Sequence, residues 1–198
     1  MYTEIINSSK WSESHGAFGE HPGMGALYYS LPYALKSEIC VCLGSGAGFV
    51  PKLMYQAQLK LVQHKIINNT NVSIVDADIG IWGRPVYDFK IPEYPDIKVI
   101  KKMTDEAFSE FENISYLHVD ADHTYEQVYN DLKNYGSRMR KDNWAITVHD
   151  TNNLPAVLQG LQIGSYLAAK KWAEENNYGF INFTIGCGTA LIMPKEGV

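Results

Sequence analysis

Two strand-like runs end on an acid. Tyr116-Leu117-His118-Val119 is apolar and stops at Asp120, with Asp122-His123-Thr124 close behind; Ala145-Ile146-Thr147-Val148 runs into His149-Asp150 in the same way. If the two runs are neighbouring strands, their ends lie ~5 Å apart. Carboxylates that close repel strongly unless a cation, a shared proton or the positive charge of a ligand offsets them. A hard divalent cation with oxygen ligands is a natural partner, which makes Asp120 and Asp150 a candidate cation site.

A second feature lies upstream. Leu43-Gly44-Ser45-Gly46-Ala47-Gly48 stands after an apolar run and before a helical one. Glycines there let the backbone take positive φ and approach a ligand closely. The dinucleotide fingerprint needs a glycine or alanine at its sixth position. Counting from Gly44 that position is Phe49, and from Gly46 it is Pro51, so both registers fail. Asp76, with Asp78 as its competitor, closes the next apolar run at Val72–Val75.

These residues need a scaffold that brings strand ends together. Ser37–Leu43, Val72–Val75, Ile97–Ile100, Ile114–Val119 and Trp144–Val148 read as strands. Between them, Val50, Leu53, Met54, Ala57 and Leu61 recur at helical spacing, with Pro51 tolerated in the first turn. Further helices are predicted near Ala26–Lys36, Thr104–Glu112 and Ala156–Asn176. Thr124 with Gln127 has a capping-box pattern ahead of the stripe Val128, Leu132, Tyr135 and Met139. Ile181–Ile185 and Ala190–Met193 flank Gly186-Cys187-Gly188 as a hairpin. Alternation of this kind predicts an α/β, doubly wound, Rossmann-like fold: a mostly parallel sheet with an antiparallel C-terminal hairpin. Three prolines, Pro85, Pro92 and Pro95, argue against a long helix over 79–96.

Composition narrows the class. The chain has 198 residues, 45% hydrophobic and 20% charged, which suits one domain with one core. A formal charge of -5 and no basic stripe argue against a nucleic-acid partner. No apolar run approaches a membrane span, and no signal peptide is evident, so a cytoplasmic enzyme is expected. Cys40, Cys42 and Cys187 form neither a disulfide framework nor a zinc spacing, and Cys40 and Cys42 read as small core residues.

The glycine loop resembles motif I of class I S-adenosylmethionine-dependent methyltransferases. Asp120-Ala121-Asp122-His123-Thr124-Tyr125, a helix, then a strand ending His149-Asp150-Thr151 looks like the macrocin-type small-molecule O-methyltransferases and the cephalosporin-hydroxylase-like proteins. More distantly the chain is similar to the catechol and caffeoyl-CoA O-methyltransferases. The likeness covers roughly residues 37–193. It implies that Gly44, Ser45, Gly46, Gly48, Asp76 and Asp120 bind S-adenosylmethionine, with Asp76 accepting from the ribose hydroxyls. It also implies a cation, Mg2+ or another divalent ion, at Asp120 and Asp150, with His149 or Asn152 as neighbours. By position, Asp120 and His123 are the catalytic candidates, His123 as general base. The sequence departs from these families at Asp142-Asn143, where a Gly-Gly turn is common, at Thr151, where catechol-type enzymes carry a metal-binding Asn, and in the proline-rich 79–96.

The expected function is methyl transfer to the hydroxyl of a small-molecule acceptor. An oxidative enzyme like the cephalosporin-hydroxylase relatives and a non-catalytic cofactor-binding protein of the same fold are the alternatives. The expected division is an N-terminal loop or lid and helix, 1–36, followed by a catalytic domain, 37–198. His15, Phe18, His21, Met24, Tyr28, Tyr29 and Tyr33 cluster in the first part. Residues 10–25 are expected to be a mobile lid over the acceptor. The frequency of Tyr, 13 residues, suggests a homodimer.

Overall fold

The computed structural model describes residues 1–9, 12–44, 48–77, 94–152 and 163–195. Short, largely apolar runs must be covered on both faces, and they form the middle of the sheet. These are β1 (Cys40–Leu43), β2 (Val72–Val75), β4 (Tyr116–Val119) and β5 (Ala145–His149), all buried at every position. The mostly polar-flanked β3 (Lys98–Ile100) is an edge strand. β6 (Gly179–Phe183) and β7 (Thr189–Met193) form the expected hairpin, with β7 antiparallel to β5. The order is β3-β2-β1-β4-β5-β7-β6. Winding reverses between β1 and β4, and ligands bind at the carboxyl ends of strands at such a point.

Helices cover the two faces separately. On one, α1 (Tyr2–Asn7), α2 (Gly25–Ala34) and α3 (Phe49–Gln63) pack Ile5, Tyr28, Phe49 and Leu53 against Cys40, Cys42, Ile74 and Tyr116. On the other, α4 (Thr104–Ala107), α5 (Tyr125–Gly136) and α6 (Gly164–Glu175) pack Leu132, Tyr135, Ala168 and Trp172 against Val41, Leu117, Ile146 and Val148. Cys40 and Cys42 are buried core residues, as expected.

Several boundaries differ from the sequence reading for identifiable reasons. β1 and β4 begin later than predicted because the Ser115 hydroxyl replaces a rung of the ladder. It accepts from the Ile39 N–H and donates to the Ile39 carbonyl. Thr124 caps α5 by accepting from the Gln127 N–H, but the Gln127 side chain turns to Thr104 and Asp131 instead of completing the box. Met139 lies beyond α5, bridged to Ile114. The helix α1 has no sequence periodicity to betray it. Its C-terminal end is held by the buried Lys52, which donates to the Ser8 carbonyl and hydroxyl. The prolines over 79–93 and the predicted helix start at Ala156 lie outside the described residues.

Asp131 is the polar exception on the α5 face. It is wholly buried, accepts from Thr104 and Gln127 through Oδ1, and leaves Oδ2 without a hydrogen bond. Burial pushes its pKa up to about 6 against the Thr104 and Gln127 bonds that lower it. The folded value exceeds the unfolded one, so Asp131 costs nothing below pH ~4 and destabilises increasingly as pH rises through ~6. The Asp131→Asn variant should therefore be more stable than the parent by about 1–3 kcal/mol at pH 8, with no gain at pH 4. Urea unfolding at the two pH values measures the difference, and an equal effect at both would show that ionisation of Asp131 is not its source.

Candidate functional site

The switch point is built by backbone hydrogen bonds across three strand ends. The Gly44 N–H donates to the Val75 carbonyl, and the Asp120 N–H donates to the Leu43 carbonyl. This sets the start of the glycine loop beside Asp120 and places Asp76, half-buried at the end of β2, next to it. Gly44 has φ +68°, and a Cβ there would meet the Asp120 carbonyl oxygen at 2.2 Å and the Ala121 Cα at 2.8 Å. Gly48, at the other end of the loop, has φ +92° and caps α3. Ser45 and Gly46 lie outside the described residues, as does Asp78.

Asp120 ends β4, and four of the chain's six histidines gather on its carboxylate. His149 Nδ1 is 3.1 Å from Oδ1, and His123 Nε2 is 3.6 Å from the same oxygen. His118 Nε2 and His15 Nε2 stand 3.7 and 4.0 Å from Oδ2. Three of these come from the expected strand ends, since β4 and β5 are parallel neighbours with His118 opposite Thr147. His15 arrives from the N-terminal turn Ser12–His15 and lies against His149, ring centroids 3.9 Å apart. His123 bridges the two acids, its Nδ1 3.0 Å from Asp150 Oδ2. Asp150 itself holds φ +54°, a left-handed conformation at the strand end.

A buried polar seam supports the histidines. His118 Nδ1 and the Tyr116 hydroxyl both pair with Thr147 Oγ1 at 2.8 Å. His15 Nδ1 pairs with the Tyr28 hydroxyl at 3.2 Å, which in turn pairs with Thr189 Oγ1 at 2.7 Å. The N-terminal turn is pinned from the other side, because the Ser14 carbonyl accepts from the Cys187 N–H and from His149 Nε2.

Electrostatics divide the four rings into two pairs. Burial alone would raise the Asp120 pKa, but His149, His118 and His123 together hold it well below the usual carboxylate range. Burial would lower His149 as well, and Asp120 and Asp150 overcome it and raise it. His123, opposed by burial but bonded to both acids, is pushed up to about 10. Burial and the neighbouring His149 leave His15 well below its ordinary value, and burial lowers His118. At neutral pH His123 is thus an imidazolium that offsets the carboxylates, His149 is biased toward its charged form, and His15 and His118 are biased toward the neutral one.

The sequence reading named Asp120, Asp150, His123 and His149, and all four meet here. It counted His15 and Tyr28 only among the residues of the N-terminal lid cluster and passed over His118 and Thr147. His118 carried a signal, since it stands two residues before Asp120 on the same face of a strand. His15 carried none, because only tertiary folding brings it near. Among the described residues, two groups have donor atoms within 4.8 Å of one another and a chemistry suited to a metal ion: Asp120, His123 and Asp150, and His15, Asp120 and His149.

A family model described as a methyltransferase domain matches residues 41–151, more than half of the chain. No curated protein matches the sequence. Solved structures share the fold. A Podospora anserina methyltransferase with S-adenosylhomocysteine bound is 11% identical, with a TM-score of 0.64, over 98% of this chain and 93% of that one. The O-methyltransferase TomG of Streptomyces achromogenes, from tomaymycin synthesis and in complex with S-adenosylmethionine, is 11% identical with a TM-score of 0.66, over 98% and 90%. An O-methyltransferase from Bacillus cereus in complex with S-adenosylhomocysteine is 10% identical with a TM-score of 0.61, over 98% and 87%.

The contact between Gly44 and Asp120 gives a direct test of the site's geometry. Any side chain at position 44 forces apart the ends of β1 and β4, and it does so from a backbone conformation that L residues resist. Gly44→Ala should lose at least about 2 kcal/mol of unfolding free energy in urea. A loss under about 0.5 kcal/mol would mean that the two strand ends are not held in this contact.

Proposed function

The chain belongs to the methyltransferase domain family, and on that premise we propose that it transfers the methyl group of S-adenosylmethionine to a hydroxyl of a small-molecule acceptor at the carboxyl edge of the sheet. The observation that carries this reading is the backbone contact between the first loop glycine and Asp120. It sets a loop suited to the amino-acid part of the cofactor directly beside an acid–imidazole cluster suited to deprotonating an acceptor.

Each residue then has a task. Gly44, Ser45, Gly46 and Gly48 are the residues assigned to holding the cofactor, and Asp76 accepts from its ribose hydroxyls. Asp120 borders both cofactor and acceptor. Methyl transfer from a sulfonium needs little covalent help, so the main work is to hold the acceptor oxygen in line at near-attack distance. His123 is the most open of the four rings, with a 31% exposed side chain, and takes the acceptor's proton. For that it must first give up the proton that its two carboxylate partners hold on it. A divalent cation held by Asp120, Asp150 and His149, when bound, would supply the positive charge those acids otherwise draw from the imidazoles and would lower the pKa of the acceptor hydroxyl. The donor set fits such an ion, since Asp120 and Asp150 both present oxygens to the gap that His123 bridges. The turn Ser12–His15 brings His15 to within 4.0 Å of Asp120, and as a lid this N-terminal segment would keep water from the acceptor. Among the described residues no helix is long and apolar enough to cross a membrane.

Isothermal titration with S-adenosylhomocysteine is the deciding measurement. The wild-type protein should bind, and Asp76→Ala should weaken binding by about 1–3 kcal/mol, the cost of leaving polar partners unmatched. No binding at millimolar ligand would overturn the reading.

The acid–base arrangement is tested separately, with labelled S-adenosylmethionine and a panel of catechols, hydroxy acids and sugars. His123→Ala should lower kcat by about 10²–10⁴-fold while leaving S-adenosylhomocysteine affinity nearly unchanged. Dialysis against EDTA should abolish turnover, and Mg2+ or Mn2+ should restore it. Full activity in EDTA would remove the cation from the mechanism and leave His123 and the two acids to act alone.

A further inference from the structure

On the acceptor side Asp120 Oδ1, His123 and Asp150 come together, and because only Nδ1 of His149 faces the acids, an ion there and one bound by His15 and His149 would compete for it. The other carboxylate oxygen, Oδ2, has the buried His118 and His15 Nε2 atoms 3.7 and 4.0 Å away, and His149 Nδ1 lies 3.1 Å from Oδ1. We infer that His15, His149 and Asp120 form a binding site for a divalent transition ion of the zinc, cobalt and iron(II) class, with the N-terminal segment supplying one ligand. The inference does not rest on methyl transfer, because ion binding is read on the protein alone.

Three observations converge on it. The first is the donor set, two imidazoles and one carboxylate with ligand atoms within 4.8 Å of one another. Imidazole nitrogen suits zinc, iron and nickel, while Mg2+ favours carboxylate, carbonyl and water oxygens. Around a zinc-class ion the ligand atoms stand about 3.3 Å apart. His149 Nδ1 stands 3.1 Å from Asp120 Oδ1 and His15 Nε2 4.0 Å from Oδ2, so closing both onto one ion takes a turn of the carboxylate or of the His15 ring.

The second is the way both rings are held by their other nitrogens. Metal-binding histidines donate their remote N–H to a fixed acceptor, which sets the tautomer and aims the ligating nitrogen. His149 Nε2 lies 3.4 Å from the Ser14 carbonyl, which can only accept. The proton is therefore on Nε2, and Nδ1 is directed at the carboxylate. His15 Nδ1 pairs with the Tyr28 hydroxyl, which is anchored on Thr189, so that Nε2 points to Asp120.

The third is an orphaned donor atom at the same place. His118 is fully buried, its Nε2 has no hydrogen-bond partner, and it stands 3.7 Å from Asp120 Oδ2. A buried polar atom without a partner is costly, and an ion at this corner gives it one, as a fourth ligand.

Because His15 and His149 are buried and come from distant parts of the chain, the ion would clamp the N-terminal turn onto the end of β5. The test uses the tag-free full chain, stripped of metal and titrated with Co2+. One equivalent should give the d–d absorption of a nitrogen-containing low-coordinate site, Zn2+ should displace it, and saturating Zn2+ should raise the melting temperature by about 5–10 °C. His15→Gln and His149→Gln should each weaken Co2+ binding at least tenfold, while Asp150→Asn changes it less than about threefold. Bands that survive His15→Gln and vanish in Asp150→Asn would place the ion at the oxygen-rich pair and overturn the inference, as would no bands at all. Should the buried-histidine variants fail to fold, the unaltered protein still decides. Its imidazole 1H–15N spectrum must show the His15 and His149 ring nitrogens shifting with Zn2+, and unchanged signals refute the site.

Discussion

A carboxylate at the end of β4 with little access to water is the constraint around which this site is organised. The Asp120 side chain is only 12% exposed, and stripping water from an ionised carboxyl costs several kcal/mol unless polar partners replace it. Imidazoles are suited to the task because they are flat enough to crowd around one carboxylate and can either carry or lack a charge. The chain delivers them from four places: β4 itself, the entry to α5, the end of β5 and the N-terminal turn. The backbone answers to the same residue. Its N–H ties β4 to β1, and its carbonyl excludes any side chain at Gly44.

The two faces of the sheet share the work unequally. The face under α4, α5 and α6 is an apolar core in which Asp131 is the main polar intrusion. The face under α1, α2 and α3 carries Tyr116, His118, Thr147, His149 and Thr189 in register across three strands. Alternation makes this possible. Residues at i and i+2 share a face, so His118 and Asp120, like Thr147 and His149, point the same way. Chemistry can then be concentrated on one side without weakening the packing on the other.

The same alternation explains how much of this is legible in the sequence. The sheet is, because strands buried on both faces are short, largely apolar runs set between more polar segments. Asp120, Asp150, His123 and His149 are legible too, since they follow directly from where those runs stop. What escapes is whatever depends on a contact between distant segments. Ser115 shortens two strands through one hydroxyl, and Lys52 holds a helix too short to show a period. His15 joins the cluster only because Ser14 and Tyr28 fix the turn that carries it. Sequence spacing measures neighbours along one element, and none of these is such a neighbour.

Backbone strain falls in the same place. Gly44, Gly48, Gly186 and Gly188 all take positive φ around the carboxyl edge, where glycine makes it inexpensive. Asp150 does so without that freedom. The other non-glycine residues with positive φ, such as Lys36, Lys65, Asn113, Asn143 and Asn177, lie in turns and helix ends away from the site. Glycine at position 150 would relieve the backbone but remove the carboxylate that His123 contacts at 3.0 Å. Asparagine would tolerate the conformation at least as well, yet would bring no charge to hold the imidazolium. Aspartate is the residue that satisfies the electrostatics and can still bear the geometry. Its presence there indicates that the charge between β4 and β5, rather than ease of folding, decides what stands at this strand end.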